Sequence, residues 1–451
     1  MRRRKDRYEA GRALRVKCPR DAHSEYKINW RERPESVQLL IESSVGRIEE
    51  LLPIRYGRML ASPFAFFRGA AVVMTADLAQ TPSTGYAVQA CGDCHLMNFG
   101  AFATPERNIV FDINDFDETF PAPWEWDLKR LAASFVIASR HNGHKRGDSR
   151  TAAARLVQSY RDKMHELAEM SALGAWYSFL DYETLIEMGQ DETLKKRRKK
   201  VLNKAISRDS MSEFVRMAHV LEGQPRIKDC PPLIFHRDEA TDPGHQDRIR
   251  TALERYRLSL PRETRVLLDR YELVDNAMKV VGVGSVGTYC AIGLFFAAEG
   301  DPLFLQVKEA RQSVIEPYVN YSWEQTHGER VVFGQRLMQS ASDIFLGHCV
   351  SDLGKHFYVR QMRDVKVKPL VEIFTPQNMQ GFARSCGWAL ALAHARSGDP
   401  AVIAGYIGKG DVFPDAVAQF ADAYYEQNLT DHASLLGAIR DGVIDAYSES
   451  E

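Results

Sequence analysis

A chain of 451 residues with 45% apolar side chains is longer than one hydrophobic core usually organises, and it can supply two. The formal net charge of −1 excludes a general attraction to nucleic acid or to an anionic membrane surface, and we expect neither partner. No segment approaches the ~20 consecutive apolar residues of a membrane helix, and the N-terminus, MRRRKDRYEAGR, lacks a signal-peptide apolar region. Seven scattered cysteines form no regular disulfide framework, so we expect a cytoplasmic protein.

The first apolar segment of interest is RMLASPFAFFRGAA at residues 58–71, in which Arg68 stands between aromatic residues and a glycine. Its guanidinium suits a contact to a phosphate or to an acidic substrate. A partly exposed ion pair is an equally good interpretation. The sequence leaves both open.

Two short blocks then concentrate acid and amide side chains, CGDCHLMNFG at 91–100 and FDINDFDE at 111–118. The residues around and between them predict a β-hairpin, with strands over 99–102 and 109–113 joined by a turn at 104–108. The hairpin would bring the two blocks together.

A base, an amide and a second acid on such a hairpin are the parts of a phosphoryl-transfer site. Asp93 would accept the proton of an acceptor hydroxyl, while Asn98 and Asp115 would hold Mg²⁺ through their side-chain oxygens. The alternative is that Asp93 and Asn98 cap a turn and that Asp115 and Asp117 belong to a solvated acidic loop.

A glycine-rich segment far along the chain, VVGVGSVGTY at 280–289, predicts a flexible turn between two strands. The strand LFLQVK follows and carries Lys308. A glycine turn covering phosphates and a lysine on the third strand are the small-lobe parts of a kinase. A tight hairpin turn without a ligand is the alternative. The predicted phosphate-binding residues are Gly282, Gly284, Ser285, Gly287 and Lys308.

The order of these parts is reversed relative to an ordinary kinase, in which the glycine turn and lysine come first. A circular permutation would explain the order, with a chain that starts in the large lobe, builds the small lobe and returns. Residues 379–396 predict a helix that ends before Gly398 and Pro400. In a permuted kinase this helix would meet Asp93 in space rather than in sequence.

Other small-lobe elements are less defined. We expect a helix over 329–343 and a strand over 356–364, in which residues 359–362 would form either an adenine-binding hinge or an unliganded sheet edge. A kinase lysine normally pairs with a glutamate. The candidates are Glu316, Glu324 and Glu329.

These blocks resemble an uncharacterised bacterial family, domain of unknown function 2252, over most of residues 50–400. The segments that carry the resemblance are SPFAFFRGAA, CGDCHLMNFG, DINDFDE, WEWDLKRLAAS, GVGSVGT, LQVKEA and GQRLMQSASD.

A more distant resemblance is to aminoglycoside- and choline-kinase-type phosphotransferases. Their H-G-D-x-H-x-x-N and I-D-F-x-D segments are similar to residues 91–98 and 114–117, and a D-L-A-R-L-like helix start is similar to the segment at 127–131. The resemblance implies ATP and Mg²⁺ as cofactors. It also implies that Asp127 is a buried structural acid that braces the loop around Asp93.

Two departures from that pattern affect the metal ligands. Cys91 replaces the usual histidine, and Asp117 stands where glycine is commoner. Asn98 and either Asp115 or Asp117 would therefore bind the metal.

Together these patterns predict an α+β, two-lobed protein-kinase-like fold in circularly permuted order. The predicted segments are an N-terminal extension at 1–50, a large-lobe part at 51–265, a small nucleotide-binding lobe at 266–370 and C-terminal helices completing the large lobe at 371–451. The predicted function is ATP- and Mg²⁺-dependent phosphoryl transfer to an unidentified acceptor, with small molecules among the options.

Two other functions stay open. One is a metal-dependent phosphohydrolase that uses two ions and needs no ATP. Its ligands would be Asp93, His95, Asp112, Asp115 and Asp117. The other is a regulator that binds a nucleotide without turnover.

Overall fold

The computed structural model describes residues 3–26, 33–188, 195–196, 199–200, 202–203, 210–237, 244–362 and 365–447. The fold is mixed α+β, as predicted, and its sheets are antiparallel. The α-helices with assigned bounds are α1 (Arg4–Lys17), α2 (Ser36–Glu42), α3 (Leu52–Leu60), α4 (Pro63–Gly69), α5 (Ala71–Ala79), α6 (Trp124–His141), α7 (Arg146–Glu169), α8 (Ala172–Tyr177), α9 (Tyr182–Glu187), α10 (Ser210–Met217), α11 (His245–Ser259), α12 (Arg262–Leu268), α13 (His327–Met338), α14 (Pro376–Ser397), α15 (Pro400–Ile407) and α16 (Val412–Arg440). The strands are β1 (Ala87–Ala90), β2 (Phe99–Ala103), β3 (Ile109–Ile113), β4 (Phe120–Pro123), β5 (Ala218–Leu221), β6 (Gln224–Ile227), β7 (Ile234–Phe235), β8 (Glu272–Lys279), β9 (Cys290–Ala297), β10 (Asp301–Glu309), β11 (Gly347–Val350), β12 (His356–Gln361) and β13 (Lys366–Val367). Among the described residues, no helix is long and apolar enough to cross a membrane.

The largest sheet has the strand order β11-β12-β10-β9-β8-β7. Its central strand β9 is an apolar run, CAIGLFFA, whose branched and aromatic side chains suit a buried pleated surface. The predicted glycine turn joins β8 to β9 and contains one short 3₁₀ turn at Val283–Ser285. The predicted third strand is β10, in which Lys308 lies opposite Tyr358 of β12. Since β12 has a neighbour on each side, the sheet-edge interpretation of this strand is wrong.

The predicted hairpin is confirmed as β2 and β3, with Phe99 opposite Ile113. The short strand β13 adds to the other side of β2, so the chain leaving the large sheet joins the hairpin. Beyond the ladder, Asn114 N donates to Asn98 O at 2.7 Å. This bond holds the end of the first acidic block against the start of the second.

A helical core supports the hairpin. Helix α6 is buried along nearly its whole length, and it packs with α7, α14 and α16 around Leu128, Leu131 and Phe135, which are all fully buried. Each such side chain contributes roughly 1.5–3 kcal/mol relative to an exposed one. The helix predicted over 379–396 is confirmed as α14, with Gly398 as its C-terminal cap.

The helix predicted over 329–343 is shorter than expected. Helix α13 ends at Met338, and Gln339 is extended. The reason is that the next amide, Ser340 N, donates to the Asp112 carboxylate at 2.8 Å instead of to a helical carbonyl. The residue that follows the end of α13 therefore binds a side chain of β3 and helps to hold that strand in place.

The N-terminal helices connect distant parts of the chain. Helices α2 to α5 form an apolar cluster in which Met59 and Phe66 join Val283 of the glycine turn and Leu435 of α16. Helix α1 packs against α15. The predicted segment boundaries and the two-lobed description stay predictions.

Candidate functional site

The predicted site residues meet around one cavity of about 1250 Å³, here called the central cavity. It lies between the large sheet, the hairpin sheet and helices α4 and α14. The predicted residues that line it are Asp93, Asn98, Asp115, Asp117, Gly282, Gly284, Ser285 and Lys308. Gly287 is not among its lining residues. It lies behind the turn, with Arg47 and Leu52 beside its Cα.

The loop that carries Asp93 is held by a buried carboxylate, as predicted for Asp127. Asp127 is 1% exposed, and its two oxygens accept the backbone N–H groups of Cys91 at 2.6 Å and Gly92 at 2.9 Å. His394 Nε2 lies 3.2 Å from the same carboxylate. Helix α14 therefore meets the Asp93 loop in space through His394 and Asp127.

The Asp93 carboxylate is oriented by an arginine to which the sequence assigned no role. Arg130 donates to Asp93 Oδ1 from Nε at 3.0 Å and from Nη2 at 2.5 Å. Arg130 is 1% exposed and follows Asp127 by three positions on α6, so both face the loop. That spacing is the sequence signal that could have identified it. The other oxygen, Asp93 Oδ2, lies 3.7 Å from His95 Nε2.

His95 is a buried neutral imidazole in this site. Burial lowers its pKa to about 3, with Arg68 and Arg130 acting in the same direction and Asp93 opposing them. Its Nδ1 has no hydrogen-bond partner among the described residues.

Asn98 is fixed by its own loop. Its Nδ2 donates to the backbone carbonyl of Asp93 at 2.7 Å, and its backbone N–H donates to His95 O at 2.8 Å. Because Nδ2 is used in this way, the side-chain oxygen is the atom left for a ligand. Asn98 lines the central cavity beside Asp93.

The carboxylates of Asp115 and Asp117 differ in the hydrogen bonds that they accept. Asp117 Oδ2 accepts from Lys308 Nζ at 2.5 Å and from Ser285 Oγ at 3.2 Å, and Tyr358 OH donates to its Oδ1. Asp115 Oδ1 is buried and has no hydrogen-bond partner among the described residues, with Lys308 Nζ 3.7 Å away. Asp115 is therefore the carboxylate with a free acceptor.

Lys308 and Asp117 each stabilise the charged form of the other. Burial alone would lower the pKa of Lys308, but the carboxylates of Asp115 and Asp117 raise it well above its ordinary value. Burial would raise the pKa of Asp117, but Lys308 and Tyr358 lower it. Both groups are held in their charged forms.

Among the described residues, Lys308 pairs with aspartates, so the prediction of a glutamate partner is wrong. In the described part of the chain, Lys308 pairs with Asp117 and Asp115, and none of Glu316, Glu324 and Glu329 contacts it. Helix α13 instead contributes Arg330, whose Nη2 donates to Asp117 O at 2.8 Å. The roles of Arg330 and Tyr358 have no sequence signal, since neither lies near the acidic blocks in the chain.

The glycine turn is fastened from behind by arginines. Arg47 Nη1 donates to Gly284 O at 3.0 Å and to Val286 O at 2.6 Å, and Arg58 Nη1 donates to Val281 O at 2.7 Å. A Cβ on Gly284 would lie 3.9 Å from Asp93 Oδ2. The turn therefore closes over the Asp93 carboxylate.

Two predicted roles are not met. The backbone amides of Gln361 and Met362 donate to Asp343 Oδ2 and Phe304 O, so they are not accessible to adenine, and this part of the hinge prediction is wrong. Asp112, a ligand in the phosphohydrolase alternative, is 4% exposed, binds Ser340 and does not line the central cavity. Among the described residues, no three His, Cys, Asp or Glu side chains are grouped to hold a metal ion by themselves.

The fold and the site define a mixed α+β protein with a polar cavity in which acids, an amide, a lysine and a glycine turn converge. Residues 47–438 match the model of the family described as uncharacterized protein conserved in bacteria (DUF2252), and the chain belongs to this family. No curated protein and no solved structure matches the chain.

Proposed function

We propose that this protein is a Mg²⁺- and ATP-dependent phosphotransferase with a permuted, two-lobed kinase-like arrangement. The observation that carries the proposal is the convergence of Asp93, Asn98, Asp115 and Lys308 with the 282–285 turn on one cavity. These residues come from three distant segments. A solvated acidic loop or an isolated hairpin turn would not require them to meet.

Asp93 is the proposed base. Arg130 occupies Oδ1, which leaves Oδ2 to accept a proton beneath the glycine turn. In the transfer, the acceptor hydroxyl oxygen bonds to the γ-phosphorus and its proton passes to Asp93 Oδ2. The bond between the γ-phosphorus and the bridging oxygen breaks, and ADP leaves with that electron pair.

Asn98 and Asp115 fit Mg²⁺. Within the described ranges, both offer a side-chain oxygen that accepts no hydrogen bond, and in Asp115 that oxygen is buried. Hard oxygen donors in small number suit Mg²⁺, which retains waters and phosphate oxygens as its other ligands. When bound, the ion would neutralise charge on the phosphates. Asp117 is the weaker candidate because Lys308, Ser285 and Tyr358 already satisfy its carboxylate.

Lys308 and the glycine turn are the proposed phosphate contacts. Lys308 is 2% exposed yet lines the central cavity, so its charge acts with little solvent screening. Ser285 and Lys308 already meet at one carboxylate oxygen, Asp117 Oδ2. Phosphate oxygens are acceptors of the same kind.

The first test is the melting temperature with Mg²⁺ and ATP, since a ligand that binds the folded state raises it. We expect a rise that requires both components in wild type and is lost in Lys308→Ala and Asp115→Ala. Asp112→Asn is the matched control, because Asp112 belongs to the same DINDFDE segment but lies outside the cavity. It should retain the rise.

The second test separates binding from transfer. Asp93→Asn should keep the melting-temperature rise while abolishing transfer of the γ-phosphoryl group in a screen of small-molecule hydroxyl acceptors. Loss of nucleotide binding in a folded Asp93→Asn protein would contradict its role as base. No rise in wild type at millimolar nucleotide would refute the proposed function, and a rise without transfer to any acceptor would favour the nucleotide-binding regulator.

A further inference from the structure

The lining of the central cavity carries more positive charge than the proposed transfer chemistry uses. Among the residues that the structure describes, nine lysines and arginines line the cavity against five aspartates and glutamates. The whole chain has a formal net charge of −1, so this excess is local. Clefts with such an excess concentrate anions.

Arg68 is the most exceptional of these cations. Within the described ranges, its guanidinium makes no hydrogen bond and no ion pair, and its Nε is buried without a partner. Its only described ring contact is the face of Phe64, 5.9 Å away. Burial lowers its pKa, which Asp93 and Glu372 oppose. Arg68 is partly buried, and a buried donor such as its Nε is costly to leave without an acceptor unless a ligand supplies one.

Arg55 and Arg47 line the same cavity as Arg68. Arg55 is 1% exposed, and its guanidinium donates to neutral acceptors, among them Ser44 Oγ at 2.6 Å and Gly69 O at 3.5 Å. Its Nε has no partner among the described residues. Arg47 donates to backbone carbonyls alone in the described part of the chain, including Gly284 O.

These three arginines gather where the Arg68–Gly69 backbone meets the glycine turn. Arg55 holds the carbonyl of Gly69, the residue after Arg68, and Arg47 holds the carbonyl of Gly284. A Cβ on Gly284 would lie 3.5 Å from Arg68 O and 3.9 Å from Asp93 Oδ2. Lys308 and Ser285, by contrast, meet at Asp117. The Arg68 segment and the Lys308–Ser285 pair thus lie beside two different carboxylates.

We propose that Arg68, backed by Arg55 and Arg47, binds an anionic group of the acceptor, a phosphate or a carboxylate, beside the hydroxyl that Asp93 activates. The assignment to the acceptor rests on the proposed function, because it takes Asp93 as the base. A guanidinium can hold either anion through two parallel hydrogen bonds, which would fix the acceptor's orientation.

The test is calorimetric titration of the full chain with inorganic phosphate and, separately, with succinate. Each titration is done with the protein saturated by Mg²⁺ and a non-hydrolysable ATP analogue. We expect one anion to bind wild type and its apparent Kd to rise about tenfold or more in Arg68→Ala, with Arg68→Lys intermediate. The arm that gives binding identifies the anion class. Arg216→Ala is the control, since Arg216 lines the cavity but is paired with Glu213.

Three results would overturn the inference. They are no binding of either anion to wild type, competition between the anion and the nucleotide analogue, and equal weakening by Arg216→Ala. The Arg68→Ala variant should fold, because removing a partly buried cation that has no partner among the described residues should leave the melting temperature unchanged or higher. Nucleotide binding to the Arg68→Ala variant is measured in a separate titration. If wild type binds no nucleotide, the proposed function fails, while titration of the free protein still tests the arginine site.

Discussion

Lys308 Nζ lies 2.5 Å from Asp117 Oδ2 and thereby joins the third strand of the large sheet to the end of the second acidic block. Lys308 is 2% exposed, and the Asp117 side chain is 28% exposed. The pair is therefore largely removed from water, and each charge depends on the other. It connects the strand framework to the loop that carries Asp115.

The first prediction concerns the stability of this pair. Asp117→Asn should lower the free energy of unfolding by about 3 kcal/mol, because it leaves a buried ammonium without its main partner. Adding Lys308→Met should recover part of the loss, since the uncompensated charge is then gone. Denaturant unfolding of the single and double variants checks this. The control is Asp441→Asn at an exposed pair with Arg440, which should change stability by about 1 kcal/mol or less.

The same pair predicts a pH profile. The pKa of Asp117 is lowered on folding, so its contribution is present above its unfolded value and is lost as the pH falls through the folded value. The pKa of Lys308 is raised on folding, so its contribution is present below its unfolded value and is lost as the pH rises through the folded value. Both losses lie outside about pH 4 to 10, so within this range the stabilising effect of the pair on the melting temperature should be constant, and it should be absent from the double variant.

His95 should make the protein sensitive to acid. Its pKa of about 3 in the folded protein lies below the ordinary value of 6.5, so the unfolded chain binds the additional proton as the pH falls between these values. Stability should fall by up to about 1.4 kcal/mol per pH unit in that window. His95→Asn should flatten the profile, measured by unfolding at several pH values. The control variant is His219→Asn, at an exposed histidine, and it should keep the wild-type dependence of stability on pH.

Two glycines of the turn should respond differently to alanine. Gly287 has φ of +84°, and a Cβ there would lie 3.1 Å from Arg47 Cβ, so Gly287→Ala should destabilise by about 1–2 kcal/mol. Gly284 has room at ordinary contact distance, so Gly284→Ala should keep its stability within about 1 kcal/mol. Its added methyl group faces Asp93, and Mg²⁺-ATP affinity should fall about tenfold, measured by calorimetry. Equal affinity in Gly284→Ala and wild type would place the phosphates elsewhere.

Asp127→Asn should weaken the brace of the Asp93 loop. Both carboxylate oxygens accept backbone N–H groups, and an amide would turn its own NH₂ toward one of them. The unpaired buried donor should cost about 1–3 kcal/mol, measured by denaturant unfolding. Phosphoryl transfer should fall more than nucleotide binding, since the loop carries the base. Asp162→Asn, at an exposed side chain, is the control and should change neither quantity.

Local sequence patterns were sufficient to predict the strands and the main helix around the site. The turn at 104–108 between two apolar runs predicted the hairpin, and glycines between β-branched runs predicted the turn before β9. The apolar stripe of residues 379–396, bounded by Gly398, predicted α14. These succeed because hydrophobic period and turn chemistry act over a few residues. The end of α13 was misplaced because a distant carboxylate, Asp112, competes for Ser340 N.

The sequence by itself determined which residue types could do the chemistry and in which local elements they lie. Only the tertiary structure decided their partners: Arg130 on Asp93, Tyr358 and Lys308 on Asp117, an oxygen of Asp115 without a hydrogen bond among the described residues, and Asp112 outside the cavity. Chain order carries no information about these contacts, because they join segments that packing alone brings together. Charge and hydrogen-bond satisfaction are properties of that packing, and they distinguish the free acceptors from the structural ones.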